Sequence, residues 1–315
     1  MKLPLLFNPR SGPGGKDPDS LMRSLPPEVR ERIEPAPFGP PWDFAPATAQ
    51  AQAAGGPLFV WGGDGTIHHA GRALAAAGCP VPLAAVPGGS GNGLVRGLRT
   101  PLSPAGALQN LLLGREVRID LPRIDGVPFL NVCGTGFEGA IAAAFEQGPG
   151  RGLGGYVRET LRLWRRYESL GLIWEADLPE PEAPATARER LQAAWRGPVP
   201  GLPETAWSLA FANLPQWGSG VWCAPGADPT DGVLQWVRLH RPGLLDLFPQ
   251  APALAREGGR TRLREEGRLL RATVRLDRAE AWHLDGEPAP PRDRAELTLE
   301  PRAFRMQVTQ ACPWR

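Results

Sequence analysis

Two apolar runs that each break straight into a glycine-rich loop constrain this chain more than any other feature. Residues 57–61 (PLFVW) lead at once into Gly62-Gly63-Asp64-Gly65-Thr66, and Ile67, Ala70 and Leu74 then recur at helical spacing. Residues 81–86 are broken by Pro87-Gly88-Gly89-Ser90-Gly91-Asn92-Gly93, after which Leu94 and Val95 open another segment. A third run, residues 3–7, stops at Asn8-Pro9-Arg10-Ser11-Gly12. Strand, loop and helix repeating in that order predict an α/β sheet with ligands at the strand ends. Glycines let backbone N–H groups approach phosphate oxygens, and a following helix N-terminus favours negative charge. Asp64 in such a loop reads in two ways. It is an organiser of magnesium, of a nucleotide hydroxyl or of an attacking hydroxyl, or it is a helix cap in a tight turn.

Further along, residues 129–133 predict a strand entering a glycine loop, Gly134-Thr135-Gly136-Phe137-Glu138-Gly139. This matches the dinucleotide pattern G-x-G-x-x-G, but no strand ending in an acid follows about 20 residues on. The phosphate-loop pattern G-x-x-x-x-G-K-[ST] does not occur. Residues 156–167 predict an amphipathic helix with Arg158, Arg162 and Arg165 on one face, read as a solvated face before a lipid contact. Residues 176–205 read as a surface loop with a short helix near 188–195. Beyond them, Leu270, Ala272, Val274 and Leu276 alternate with polar residues, as do Trp282 and Leu284, and then Phe304, Met306 and Val308. The expected architecture is an α/β front and a mostly β back, joined near residue 118.

Thirty-five basic and 33 acidic side chains nearly cancel, so no general pull toward nucleic acid is expected. Four widely spaced cysteines lack metal-finger spacing and suit a reducing compartment. No run approaches the ~18 apolar residues of a membrane span, and no signal peptide is visible. A cytoplasmic location follows as the expectation, peripheral at the membrane if the substrate is a lipid.

At Gly62–Thr66 the chain resembles the family of diacylglycerol kinase catalytic domains, sphingosine kinases and their bacterial lipid-kinase relatives. The likeness runs in order through Asn8-Pro9-Arg10-Ser11-Gly12, the Gly62 loop, Pro87 to Asn92, Gly134 to Glu138, Ala224-Pro225-Gly226-Ala227, Asp231-Gly232-Val233-Leu234 and Asp285-Gly286-Glu287. It implies an N-terminal α/β domain similar to NAD kinases and phosphofructokinases (residues 1–118). A β-sandwich with substrate-side elements follows (119–300), then a C-terminal segment returning to the first domain (301–315). It implies ATP in the cleft between them, contacted by Gly62, Gly63, Asp64, Gly65, Thr66, Ile67, His68, Gly88, Ser90 and Gly91, with Asn8 and Asn92 shaping the loops. Asp228, Asp231 and the Val233 carbonyl resemble a magnesium site, a donor set of hard oxygens that suits the ion. They read equally as a solvated turn.

By resemblance Glu287 is the active-site carboxylate. With Asp64 it forms the expected catalytic pair, Asp285 organises metal or water, and Glu138 meets substrate or magnesium. Which carboxylate accepts the proton of the attacking alcohol stays open. His68 and Gly89-Ser90-Gly91-Asn92 are similar to the sphingosine-kinase variant, whereas His69 stands where relatives often carry an acid. The expected activity is ATP- and Mg2+-dependent phosphorylation of a lipid hydroxyl reached at the membrane surface, and the resemblance also implies a homodimer. The rivals are a kinase of a soluble alcohol such as NAD, and a non-catalytic lipid- or nucleotide-binding protein.

Overall fold

The computed structural model describes residues 1–9, 17–147, 162–179, 204–243, 253, 256–257, 259 and 261–315. The first half alternates strands and helices. β1 (Leu3–Phe7), β2 (Ile33–Pro37), β3 (Leu58–Gly62) and β4 (Leu83–Pro87) pair in parallel in the order β2-β1-β3-β4. β1, β3 and β4 are buried along their whole length, as parallel strands covered on both faces must be. Helices α1 (Pro18–Ser24), α2 (Pro27–Arg30), α3 (Ala45–Ala53), α4 (Asp64–Ala76), α5 (Gly93–Gly97) and α6 (Pro104–Leu112) connect them. Leu6, Val60, Leu83 and Ala85 pack with Ile67, Ala70 and Leu74 of α4 on one face. On the other, Leu5, Phe7, Phe59 and Val86 pack with α1 and α6. All four strands point their C-terminal ends the same way, so Asn8, Gly62–Thr66 and Gly88–Asn92 gather at one edge of the sheet.

The second half is mainly antiparallel. It contains β5 (Arg115–Ile124), β6 (Val127–Pro128), β7 (Val132–Gly136), α7 (Phe137–Gln147), β8 (Leu170–Asp177), β9 (Glu204–Ala206), β10 (Ser208–Ala212), β11 (Gln216–Gly218), β12 (Val221–Trp222), β13 (Leu234–Leu239), β14 (Arg264–Leu269), β15 (Arg271–Leu284) and β16 (Glu287–Val308). Trp174, Phe211, Trp236, Val274, Trp282 and Leu297 form its core.

The halves are not cleanly separate, which departs from the expected α/β front and β-sandwich back. A single 14-stranded sheet runs β14-β13-β10-β7-β15-β16-β4-β3-β1-β2, with β5, β6, β8 and β9 branching from it. The reason is β16. Its 22 residues pair with β15 through residues 287–297 and with β5 through 297–308, and Met306 meets Leu83 of β4. Phe304, Met306 and Val308 are fully buried within the core of the first half.

The alternation at 272–276 and 304–308 appears as strands with one buried face. Gly134-Thr135-Gly136 is a second departure, because these residues are not a loop but the end of β7, leading directly into α7. Their glycines serve close packing. A Cβ on Gly134 would overlap the Glu138 carboxylate, and one on Gly136 would lie 2.6 Å from the Trp207 carbonyl oxygen. Of the helix expected at 156–167, residues 162–166 are helical, while Arg158 and the segment 188–195 lie outside the described residues. Among the described residues, no helix is long and apolar enough to cross a membrane.

Candidate functional site

The two glycine loops touch. A Cβ on Gly89 would stand 2.8 Å from the Gly63 Cα, and one on Gly91 would stand 2.6 Å from Asp64 Oδ2, so backbone packs on backbone here. Asn92 shapes the second loop from a left-handed conformation (φ 50). Its Oδ1 accepts from the N–H groups of Gly88 (3.3 Å) and Gly89 (3.0 Å), while its Nδ2 donates to the Gly89 carbonyl (2.9 Å). Asn8 at the end of β1 donates from Nδ2 to Thr66 Oγ1 (3.2 Å). Ser90 is exposed at the loop tip, whereas the Ile67 side chain is 2% exposed in the core, which leaves only its backbone for a ligand.

Asp64 opens α4 but caps another helix. Its Oδ2 accepts from the N–H of Asn92 (2.8 Å) and its Oδ1 from that of Gly93 (2.7 Å), at the start of α5. Burial pushes its carboxyl up from 3.8 to about 6, against those two N–H groups and with the help of the Asp285 charge. The N-terminus of α4 itself has no side-chain cap. The positive end of its dipole lies beside a cradle only glycine allows, a setting suited to the phosphates of a nucleotide.

The turn between β15 and β16 brings the C-terminal carboxylates to this edge. Glu287 lies against Gly65, where a Cβ would overlap its carboxylate. Asp285, at φ 54, accepts from the N–H groups of Leu130 (3.0 Å), Asn131 (2.7 Å) and Val132 (3.1 Å) and meets His68 Nδ1 at 2.8 Å. Burial opposes its charge, but His68 and the backbone donors outweigh burial and hold the carboxyl below its ordinary value. With these partners Asp285 ties elements together and has little capacity left to organise a metal or water.

Glu138 stands apart, at the start of α7 beside His283. Its two oxygens are buried without a hydrogen-bond partner, and His283 Nε2 at 3.5 Å attracts their charge without a good bond. Burial raises its carboxyl, with His283 pulling it back. His283 Nδ1 accepts from the Gly286 N–H (3.3 Å), so the ring proton belongs on Nε2, toward Glu138.

Asp228, Asp231 and Val233 form another group, joined by an acid the sequence reading passed over. Asp120 is fully buried in β5 and accepts from the N–H groups of Gly232 and Arg302, both at 2.8 Å. An aspartate inside the apolar alternation Val117, Ile119, Leu121 was the available signal. The group suits a divalent cation poorly. Asp228 Oδ1 accepts from Thr230, Asp231 Oδ1 from the Val233 N–H (3.1 Å), and Asp231 Oδ2 from Arg268 (2.7 Å). A magnesium ion here would first displace a guanidinium.

The profile of the diacylglycerol kinase catalytic domain matches residues 2–124. A Pseudomonas fluorescens protein named "Probable lipid kinase YegS-like" is 31% identical over 259 residues, spanning 81% of this chain and 78% of that protein. Another from Pseudomonas aeruginosa is 29% identical over 84% of this chain and 80% of the relative. Among solved structures, a diacylglycerol kinase of Bacillus anthracis superposes with a TM-score of 0.70 at 18% identity, covering 98% of each chain. An NAD kinase of Archaeoglobus fulgidus, solved with ATP, gives 0.52 at 12% identity, over 98% of this chain and 94% of the other. Those two likenesses are of the fold, a mixed α/β architecture common to both kinase groups. The order of the motifs and the similarity along four-fifths of the chain place this protein in the YegS-like lipid kinase family, with a diacylglycerol kinase catalytic domain.

Proposed function

We propose that this protein transfers the γ-phosphate of ATP to the hydroxyl of a lipid, with Glu287 accepting the proton of that hydroxyl. The observation that carries the reading is the contact of Glu287 with Gly65, which puts a carboxylate from the last strand on the first turn of the nucleotide-loop helix.

ATP supplies the phosphoryl group, and magnesium bound with it would offset charge on the transferring oxygens. The dipole end of α4 and the tip of the second loop at Ser90 and Gly91 would hold the phosphates. Asn8 and Asn92 fix those loops. Asp64 shares the site, and its two backbone partners favour a cross-loop role, which leaves Glu287 as the base. An alcohol oxygen attacking phosphorus must lose its proton, and a carboxylate within reach accepts it as the bond forms. Glu138, expected to meet substrate or magnesium, stands apart from these groups beside His283.

The remaining assignments rest on the family likeness. They are a division at residues 1–118, 119–300 and 301–315, a lipid reached from the membrane surface, and an acceptor of the diacylglycerol or sphingoid type. The shared fold keeps a soluble alcohol such as NAD as the second reading.

The test is transfer of labelled γ-phosphate to a total lipid extract, with NAD in a parallel reaction. A labelled lipid supports the proposal, whereas labelled NAD alone moves the activity to soluble acceptors. Glu287→Gln should lower turnover by roughly 10²–10⁴-fold with an unchanged thermal melt. Wild-type turnover in that variant would remove Glu287 from the chemistry.

A further inference from the structure

Three positions one helical turn apart on α4 face the C-terminal half of the chain. Gly65 abuts the Glu287 carboxylate, His68 bonds Asp285, and Gly71 is so close to Leu130 that a Cβ would lie 2.5 Å from Leu130 Cδ1. Spacing of i, i+3 and i+6 sets all three on one stripe of the helix. Only the middle position carries a polar group, and that group is buried. His68 is 3% exposed and the Asp285 side chain 7%.

Asp285 passes the contact on. Its Oδ2 faces His68, while its Oδ1 holds the N–H groups of Asn131 and Val132, and its own N–H donates to the Val132 carbonyl (2.7 Å). Glu287 follows two residues later, at the start of β16. The helix that follows the nucleotide loop and the turn that carries the base are therefore joined by this imidazole as well as by the Gly65–Glu287 contact. Family likeness would set His68 against ATP, yet its Nδ1 is turned to Asp285.

We propose that His68 is a positioning residue for phosphoryl transfer. By holding Asp285 it fixes Glu287 relative to the first turn of α4, so it governs turnover and not nucleotide affinity. The proposal rests on Glu287 as the base, as argued above. Misplacing a reacting group by about 1 Å costs on the order of 100-fold in rate, so the loss of this link falls on kcat.

The variants separate geometry from bulk. His68→Leu fills the space and removes the donor. His68→Asn returns a donor at the reach of Nδ1, because its Nδ2 is likewise attached to Cγ, and His68→Gln carries its donor one bond further out. Expected are a fall in kcat of roughly 10–100-fold for His68→Leu and His68→Gln, recovery in His68→Asn, and a KM for ATP within about twofold of wild type throughout. A raised KM for ATP with kcat intact would make His68 a nucleotide contact and overturn the proposal, as would wild-type kcat in His68→Leu. Amide hydrogen exchange of the same variants without substrate tests the link independently of activity. Residues 130–132 and 286–287 should exchange faster in His68→Leu and recover in His68→Asn. Unchanged exchange would overturn the link. Absence of lipid phosphorylation by the wild type, with these exchange changes in its variants, would retire the acceptor assignment and leave the link standing.

Discussion

At the scale of single residues, the candidate site holds carboxylates in opposed electrostatic states. Asp285 is surrounded by donors and stays ionised, while Asp64 is buried with fewer and titrates near 6. A carboxyl raised on folding favours the fold when protonated. That contribution is complete below 3.8 and is lost as pH rises through about 6. With Asp64→Asn as the uncharged reference, the stability of wild type relative to the variant should fall by up to about 3 kcal/mol between roughly pH 4 and 7. Urea unfolding at several pH values measures it, and a difference that does not move with pH would mean Asp64 titrates alike folded and unfolded. Such tuning was not legible in the sequence. Asp64, Asp285 and Glu287 could be singled out by their motifs, but the donors that hold Asp285 are backbone N–H groups some 150 positions away, and backbone donors leave no mark in residue types.

At the scale of elements, α4 lies at the centre of the site because its stripe of Gly65, His68 and Gly71 admits close approach. Replacing Gly71 with alanine sets two effects against each other. Helix propensity gains about 1 kcal/mol, while the new methyl enters the space of Leu130, which is 2% exposed and fixed between packed strands. Overpacking of that kind costs about 1–3 kcal/mol. Gly71→Ala should therefore be destabilised by up to about 2 kcal/mol in urea unfolding, and a stabilised variant would show that Leu130 can move aside. The parallel strands β1, β3 and β4 were legible, because a short apolar run cut by a glycine loop has few other readings. Residues 134–136, expected as a loop, are strand, since glycine marks both a turn and a place where another side chain must come close. The pairing of β10 with β7 and β13 was hidden, because it joins residues far apart in sequence.

At the scale of the whole molecule, β16 makes the two halves one sheet. Its last residues supply Phe304, Met306 and Val308 to the core of the first half and pair with β4 and β5. Loss of a single buried phenylalanine side chain costs about 3–5 kcal/mol, and a domain holds only about 5–15 kcal/mol in total. A chain stopped after Glu300 should thus lose its cooperative thermal transition, as followed by circular dichroism. A cooperative melt in that shortened chain would show that the first half folds without its final strand.

The same strand arrives late. Leu83 on β4 waits for Met306, about 220 residues downstream, and ribosomal synthesis at roughly 5–20 residues per second makes that a wait on the order of 10–40 s. Until then one flank of β4 offers its backbone donors and acceptors to any extended chain nearby. A nascent chain that has not yet received its final strand should therefore be the form most prone to aggregate.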